Sequence, residues 1–107
     1  MIELPLVIQR YVEASNAHDV SSTVACFAPD GVVRDEGQTL RGKEAIGDWI
    51  ATTIAKYKFH FTPLRLETGD AEIVVTIEVS GTFDGSPVTL DYHFMVKHDQ
   101  ISSLTID

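Results

Sequence analysis

The feature that most constrains this chain is a change of hydrophobic period near Tyr57. Before that point apolar residues recur at the three-and-four spacing of amphipathic helices. After it they alternate, as on strands with one covered face. Helices first and a run of strands afterwards predict an α+β domain rather than an alternating α/β one. At 107 residues, 44% of them hydrophobic, the chain has material for one core, so residues 1–107 are read as a single domain.

The first helix is expected over Leu4 to Ala17, with Leu4, Val7, Ile8, Tyr11 and Val12 on one face and Pro5 in its first turn. Asn16-Ala17-His18-Asp19 breaks the pattern, and Asp19 can cap a second helix carrying Val20, Val24, Cys26 and Phe27, ended by Pro29-Asp30-Gly31. Gly31 to Glu36 reads as a brief extended segment. A third helix follows through Ala45, Ile46, Trp49, Ile50 and Ile54. Strands are expected at about 57–67, 71–83, 87–97 and 100–106, separated by Thr68-Gly69-Asp70, Asp84-Gly85 and His98-Asp99. In the third of these, Val88, Leu90, Tyr92, Phe94 and Val96 alternate with the more polar Thr89, Asp91, His93, Met95 and Lys97, a second face suited to a subunit interface.

A formal net charge of -8, with scattered basic residues, argues against nucleic acid and anionic membrane as partners. No apolar run is long enough for a membrane span, and Met1-Ile2-Glu3-Leu4-Pro5 does not read as a secretion signal, so a cytoplasmic location is expected. Cys26, the sole cysteine, has no thiol to pair with. The histidines and carboxylates show no metal spacing, so no metal is expected; His18 reads as a solvated turn residue.

Several phrases occur in an informative order: Gln9-Arg10-Tyr11-Val12-Glu13-Ala14, Asn16-Ala17-His18-Asp19, Cys26-Phe27-Ala28-Pro29-Asp30, Val33-Arg34-Asp35 and Gly42-Lys43-Glu44-Ala45-Ile46. With the strand pattern behind them, they resemble the cone-shaped superfamily of nuclear transport factor 2, scytalone dehydratase, SnoaL-like polyketide cyclases and ketosteroid isomerase. The resemblance implies three N-terminal helices packed on a strongly bent antiparallel sheet, with a pocket between the layers. It does not select one activity, because this fold hosts isomerases, dehydratases, cyclases, hydrolases and binders.

Within the superfamily, the chain is most similar to bacterial ketosteroid isomerases. Tyr11 matches their helical tyrosine and Asp35 the aspartate of their first short strand. Anchoring on His93-Phe94 places Tyr92 where the family has a second acid, with Asp91 one residue earlier and on the opposite face. The resemblance implies a cofactor-free proton transfer next to a carbonyl, of the isomerase or polyketide cyclase kind. Asp35 would be the base, Tyr11 the oxyanion donor and Tyr92 a second donor. Trp49, Phe27, Phe59, Ile77 and Phe94 are the expected pocket walls, and burial among them would raise the pKa of Asp35, as would Glu36 if close. The expected ligand is a hydrophobic small molecule with a carbonyl or enol group. A homodimer through the sheet is also expected. The alternative is a non-catalytic ligand-binding or dimeric assembly domain of the same fold.

Overall fold

The chain's first helix, α1 (Leu6–Asn16), starts behind Pro5, whose fixed backbone suits a helix entry, and buries Val7, Ile8, Tyr11, Val12 and Ser15. This computed structural model describes residues 3–107; Met1 and Ile2, the first two residues of the segment read for a secretion signal, lie outside it. Among the described residues no helix is long and apolar enough to cross a membrane.

Asp19 caps α2 (Val20–Val24) as expected, accepting the Ser22 backbone N–H at 3.1 Å and the Ser22 hydroxyl at 2.8 Å. The helix is shorter than its apolar spacing predicts. Cys26 and Phe27 fall outside it, because the Cys26 carbonyl accepts the backbone N–H of Ile101 at 2.8 Å and Phe27 opens a strand beside that residue. A long-range strand pairing has overridden a local helical pattern.

That strand, β1 (Phe27–Asp35), is longer than the expected segment, and it turns into β2 (Gln38–Arg41), which the period analysis did not anticipate. The link is Glu36-Gly37, both with positive φ (50° and 78°), the left-handed pair that a two-residue hairpin requires. Strand β2 escaped notice because its side chains are largely exposed and carry no alternation.

Helix α3 (Gly42–Tyr57) buries Ile46 and Ile50 and runs to the residue expected to start the next strand, so that strand begins three residues later, at His60. The sheet is completed by β3 (His60–Thr68), β4 (Ile73–Ser80), β5 (Val88–Lys97) and β6 (Gln100–Ile106), in the order β2-β1-β6-β5-β4-β3. It is curved and unclosed, and the helices pack on it, giving the expected α+β, nuclear transport factor 2-like architecture. One junction departs from an all-antiparallel sheet: β1 and β6 run parallel. The tight turn at His98-Asp99 (φ 52° and 60°) makes β6 antiparallel to β5, and that direction sets it parallel to β1.

The core lies between helices and sheet, with Ile8, Phe27, Val33, Ile46, Val75, Ile77, Phe94, Ile101 and Leu104 fully buried. The loop after α1 ties the layers together. The Asn16 side chain donates to the Phe61 carbonyl (3.0 Å) and accepts its N–H (2.7 Å). His18 is exposed in its turn, as expected, and also places Nε2 2.8 Å from the Phe59 carbonyl with its ring edge-on to that of Phe59.

Candidate functional site

Between α1, α3 and the sheet lies a cavity of about 290 Å³, at the low end of small-molecule sites. Three elements supply its polar groups. Tyr11 projects from the buried stripe of α1, Asp35 ends β1 just before the hairpin, and Tyr92 stands on the inner face of β5. All three line the same cavity, as do Trp49 and Phe59. Phe27, Ile77 and Phe94 do not. They are fully buried one layer behind, where Phe27 and Phe94 meet the Tyr11 ring edge-on at 5.9 and 5.5 Å between ring centres. Strand alternation marks a covered face; it does not tell whether a side chain or a cavity covers it.

The walls also include residues that the sequence reading did not assign to the pocket. Phe61, on β3, stacks at 4.6 Å on Phe59, which lies just before that strand. Tyr57 and Phe83 form an edge-on pair at 5.5 Å, and Glu36 and Asp84 stand with them. Ser15 and Thr23 add small buried hydroxyl groups. Asp91 is not part of this set: its carboxylate accepts a hydrogen bond from Thr76 on the neighbouring strand at 2.8 Å.

The electrostatics couple the three polar groups. Burial pushes the Asp35 carboxyl up from its usual pKa and the adjacent Glu36 charge adds to this, while the Trp49 indole and a backbone N–H act in the opposite sense. Burial likewise raises the Tyr11 phenol, with Asp35 adding and Ser15 opposing. Tyr92 is pushed well above its ordinary value by burial, then by Tyr11 and Asp35, and has no hydrogen-bond partner among the described residues. Both tyrosines are therefore neutral O–H donors at physiological pH. Among the described residues no cluster of His, Cys, Asp and Glu is arranged to hold a metal ion.

The family model of the SnoaL-like domain matches residues 8–102, which includes Tyr11, Asp35 and Tyr92. The chain belongs to the SnoaL-like family. Among solved structures, this SnoaL-like domain is similar to that of a candidate polyketide cyclase from Sinorhizobium meliloti, with 36% identity, 97% of this chain and 95% of that chain covered, and a TM-score of 0.93. A protein with a ketosteroid isomerase-like fold from Catenulispora acidiphila, solved in complex with trimethylamine, is 20% identical over 98% of this chain and 86% of that one, with a TM-score of 0.86. A Mycobacterium tuberculosis protein in complex with estradiol-17beta-hemisuccinate is 22% identical over 94% and 89%, with a TM-score of 0.75. These last two show a shared fold. No curated protein matches the chain.

Proposed function

We propose that this SnoaL-like domain is a cofactor-free enzyme that moves a proton at a carbon next to a carbonyl, as a ketosteroid isomerase-like isomerase or a polyketide cyclase does. One observation carries the reading: a carboxylate of raised pKa and two neutral phenols line one largely apolar cavity. Asp35 takes the proton from the α-carbon, the C–H electron pair becomes the new C=C bond, and the C=O π pair moves onto the carbonyl oxygen. Tyr11, with Tyr92 as second donor, hydrogen-bonds the enolate oxygen. In an isomerase Asp35 returns the proton to the γ-carbon; in a cyclase the enolate carbon attacks a second carbonyl, whose π pair moves onto its oxygen and takes up the proton held by Asp35. Neither outcome changes the net oxidation state or calls for a cofactor.

The similarity to a candidate polyketide cyclase supports the cyclase branch, and ligands in the structural neighbours support a small-molecule role. The test is conversion of 3-cyclohexenone to 2-cyclohexenone, together with α-carbon deuterium exchange followed by NMR. Asp35→Asn is expected to abolish both without unfolding the protein. Full activity in that variant overturns the assignment of Asp35 as the base, whereas no activity in the unaltered protein favours a non-catalytic ligand-binding domain.

We also propose a homodimer through the outer face of the sheet, where Leu64 (47%) and Met95 (36%) are exposed. Light scattering that shows a monomer at micromolar concentration contradicts it.

A further inference from the structure

Resting on the proton-transfer reading of the same cavity, we propose that its ligand carries a positively charged amine at its outer end. Glu36, Asp84 and the Tyr57–Phe83 ring pair would hold that amine, while the neutral carbonyl end reaches Tyr11 and Tyr92. The charge balance of the lining points this way. Asp35, Glu36 and Asp84 line the cavity, and among the described residues no Lys, Arg or His does. A carboxylate or phosphate on the ligand would meet three like charges and no cationic lining residue, inside a chain whose formal net charge is already -8.

The aromatic lining adds attraction of the same sign. Ring faces bind cations through their quadrupoles, most strongly where water is partly excluded. The Tyr57 ring already does so in the folded chain: the Lys56 ammonium lies 5.0 Å from its centre, held up in pKa by Tyr57 and by the Glu36 charge. The Tyr57 hydroxyl in turn donates to Glu36 at 3.3 Å, which joins one ring and one carboxylate into a cation-accepting corner. Glu36 and Asp84 are exposed, whereas Asp35 is half-buried. An amine seated at the outer pair therefore leaves Asp35 free for the proton.

The Tyr92 phenol, 4% exposed and without a hydrogen-bond partner among the described residues, is a buried donor directed at the same space. It supplies a neutral donor for a ligand acceptor at the inner end. The lining thus has a polarity along its length: neutral donors inside and negative charge outside.

Calorimetry at low ionic strength with three phenols that differ only in the tail tests this. The probes are tyramine, 4-ethylphenol and 3-(4-hydroxyphenyl)propanoate, with cationic, neutral and anionic tails. Tyramine is expected to bind at least about five-fold tighter than 4-ethylphenol, and the propanoate at least about five-fold more weakly. Glu36→Gln combined with Asp84→Asn should bring the three affinities within about two-fold of one another. The control Glu67→Gln with Asp70→Asn, two exposed acids that do not line the cavity, should keep the ranking. Tyramine binding no tighter than 4-ethylphenol overturns the proposal, and so does a control variant that also loses the ranking. Failure of all three probes to bind at millimolar concentration overturns it together with the proton-transfer reading. If Tyr11→Phe and Tyr92→Phe leave every affinity unchanged while the charge ranking holds, the proton-transfer reading falls and the cation preference stands.

Discussion

Asn16 pairs with the backbone of Phe61 as a neighbouring strand would, donating to its carbonyl and accepting its N–H. One side chain amide thereby fixes the start of β3, and with it the stacked Phe59 and Phe61 rings that wall the cavity. Asn16→Ala leaves both partly buried backbone groups of Phe61 without these bonds. A loss of about 1–3 kcal/mol in unfolding free energy is expected, measured by urea denaturation. A loss below about 0.5 kcal/mol would mean that water replaces the clamp without cost.

Tyr11→Phe keeps the ring packing against Phe94 and removes only the hydroxyl. On the proposed mechanism it costs about 3 kcal/mol of transition-state stabilisation, on the order of a hundred-fold in kcat, the scale of one oxyanion donor. Steady-state kinetics on the enone substrate checks this, and a change smaller than about three-fold removes Tyr11 from the mechanism.

Asp35 gives stability a pH dependence of definite sign. Its folded pKa lies above the ordinary 3.8, so between the two values the folded state holds the proton more tightly than the unfolded state does. Stability is therefore lost as pH rises from 3.8 through the folded value. Asp35→Asn should raise the melting temperature at pH 7 and lose that advantage at pH 3, as thermal scans at the two pH values would show. Equal melting temperatures at pH 7 would mean that solvent screens the carboxylate fully.

Activity should move with the same group in a different variant. A base must be unprotonated, so the rate rises with pH through the raised pKa of Asp35. Burial is the larger cause of that rise and the Glu36 charge the second, so Glu36→Gln should shift the acidic limb of the pH–rate profile to lower pH. An unmoved limb would show that Glu36 does not act on the base.

On the other face of the sheet His93 places Nδ1 2.8 Å from Glu72, and Nε2 2.8 Å from Asp107 but off the hydrogen-bond direction. The hydrogen bond to Glu72 is the main cause that raises its pKa above 6.5, partly offset by burial; the charges of Glu72 and Asp107 add to the rise. The stabilisation is present in full below 6.5 and is lost as pH climbs through the folded value. Urea midpoints of the native protein should fall between pH 6 and pH 9 by more than those of His93→Gln. Parallel slopes would rule the imidazolium out as a contributor.

Much of this was legible from periodicity. The three helices and four of the six strands follow from spacing, because each buries one face and its residue pattern records which. Tyr11, Asp35, Tyr92, Trp49 and Phe59 meet around one cavity, a grouping that resemblance suggested and that no spacing rule would supply. What escaped the reading had non-local or unpatterned causes. Phe27 is a strand residue because Ile101 is its neighbour, seventy-odd positions away in the chain. His18, though exposed, reaches the Phe59 carbonyl from a left-handed turn (φ 54°), and β2 is held by a hairpin rather than by a buried face. Phe27, Ile77 and Phe94 showed why burial and pocket lining are different properties: all three are covered, but by protein.

The central place of β6 in the sheet also dictates an order of events during synthesis. Residues 27–41 form one half of the sheet and residues 60–97 the other, and β6 is the strand that joins them. On a growing chain Asp35 belongs to the first half and Tyr92 to the second, so nothing in the sheet holds the two at their final separation until residues 100–106 leave the ribosome. The nascent domain must therefore keep two open sheet edges from pairing with neighbouring chains until its last strand is inserted.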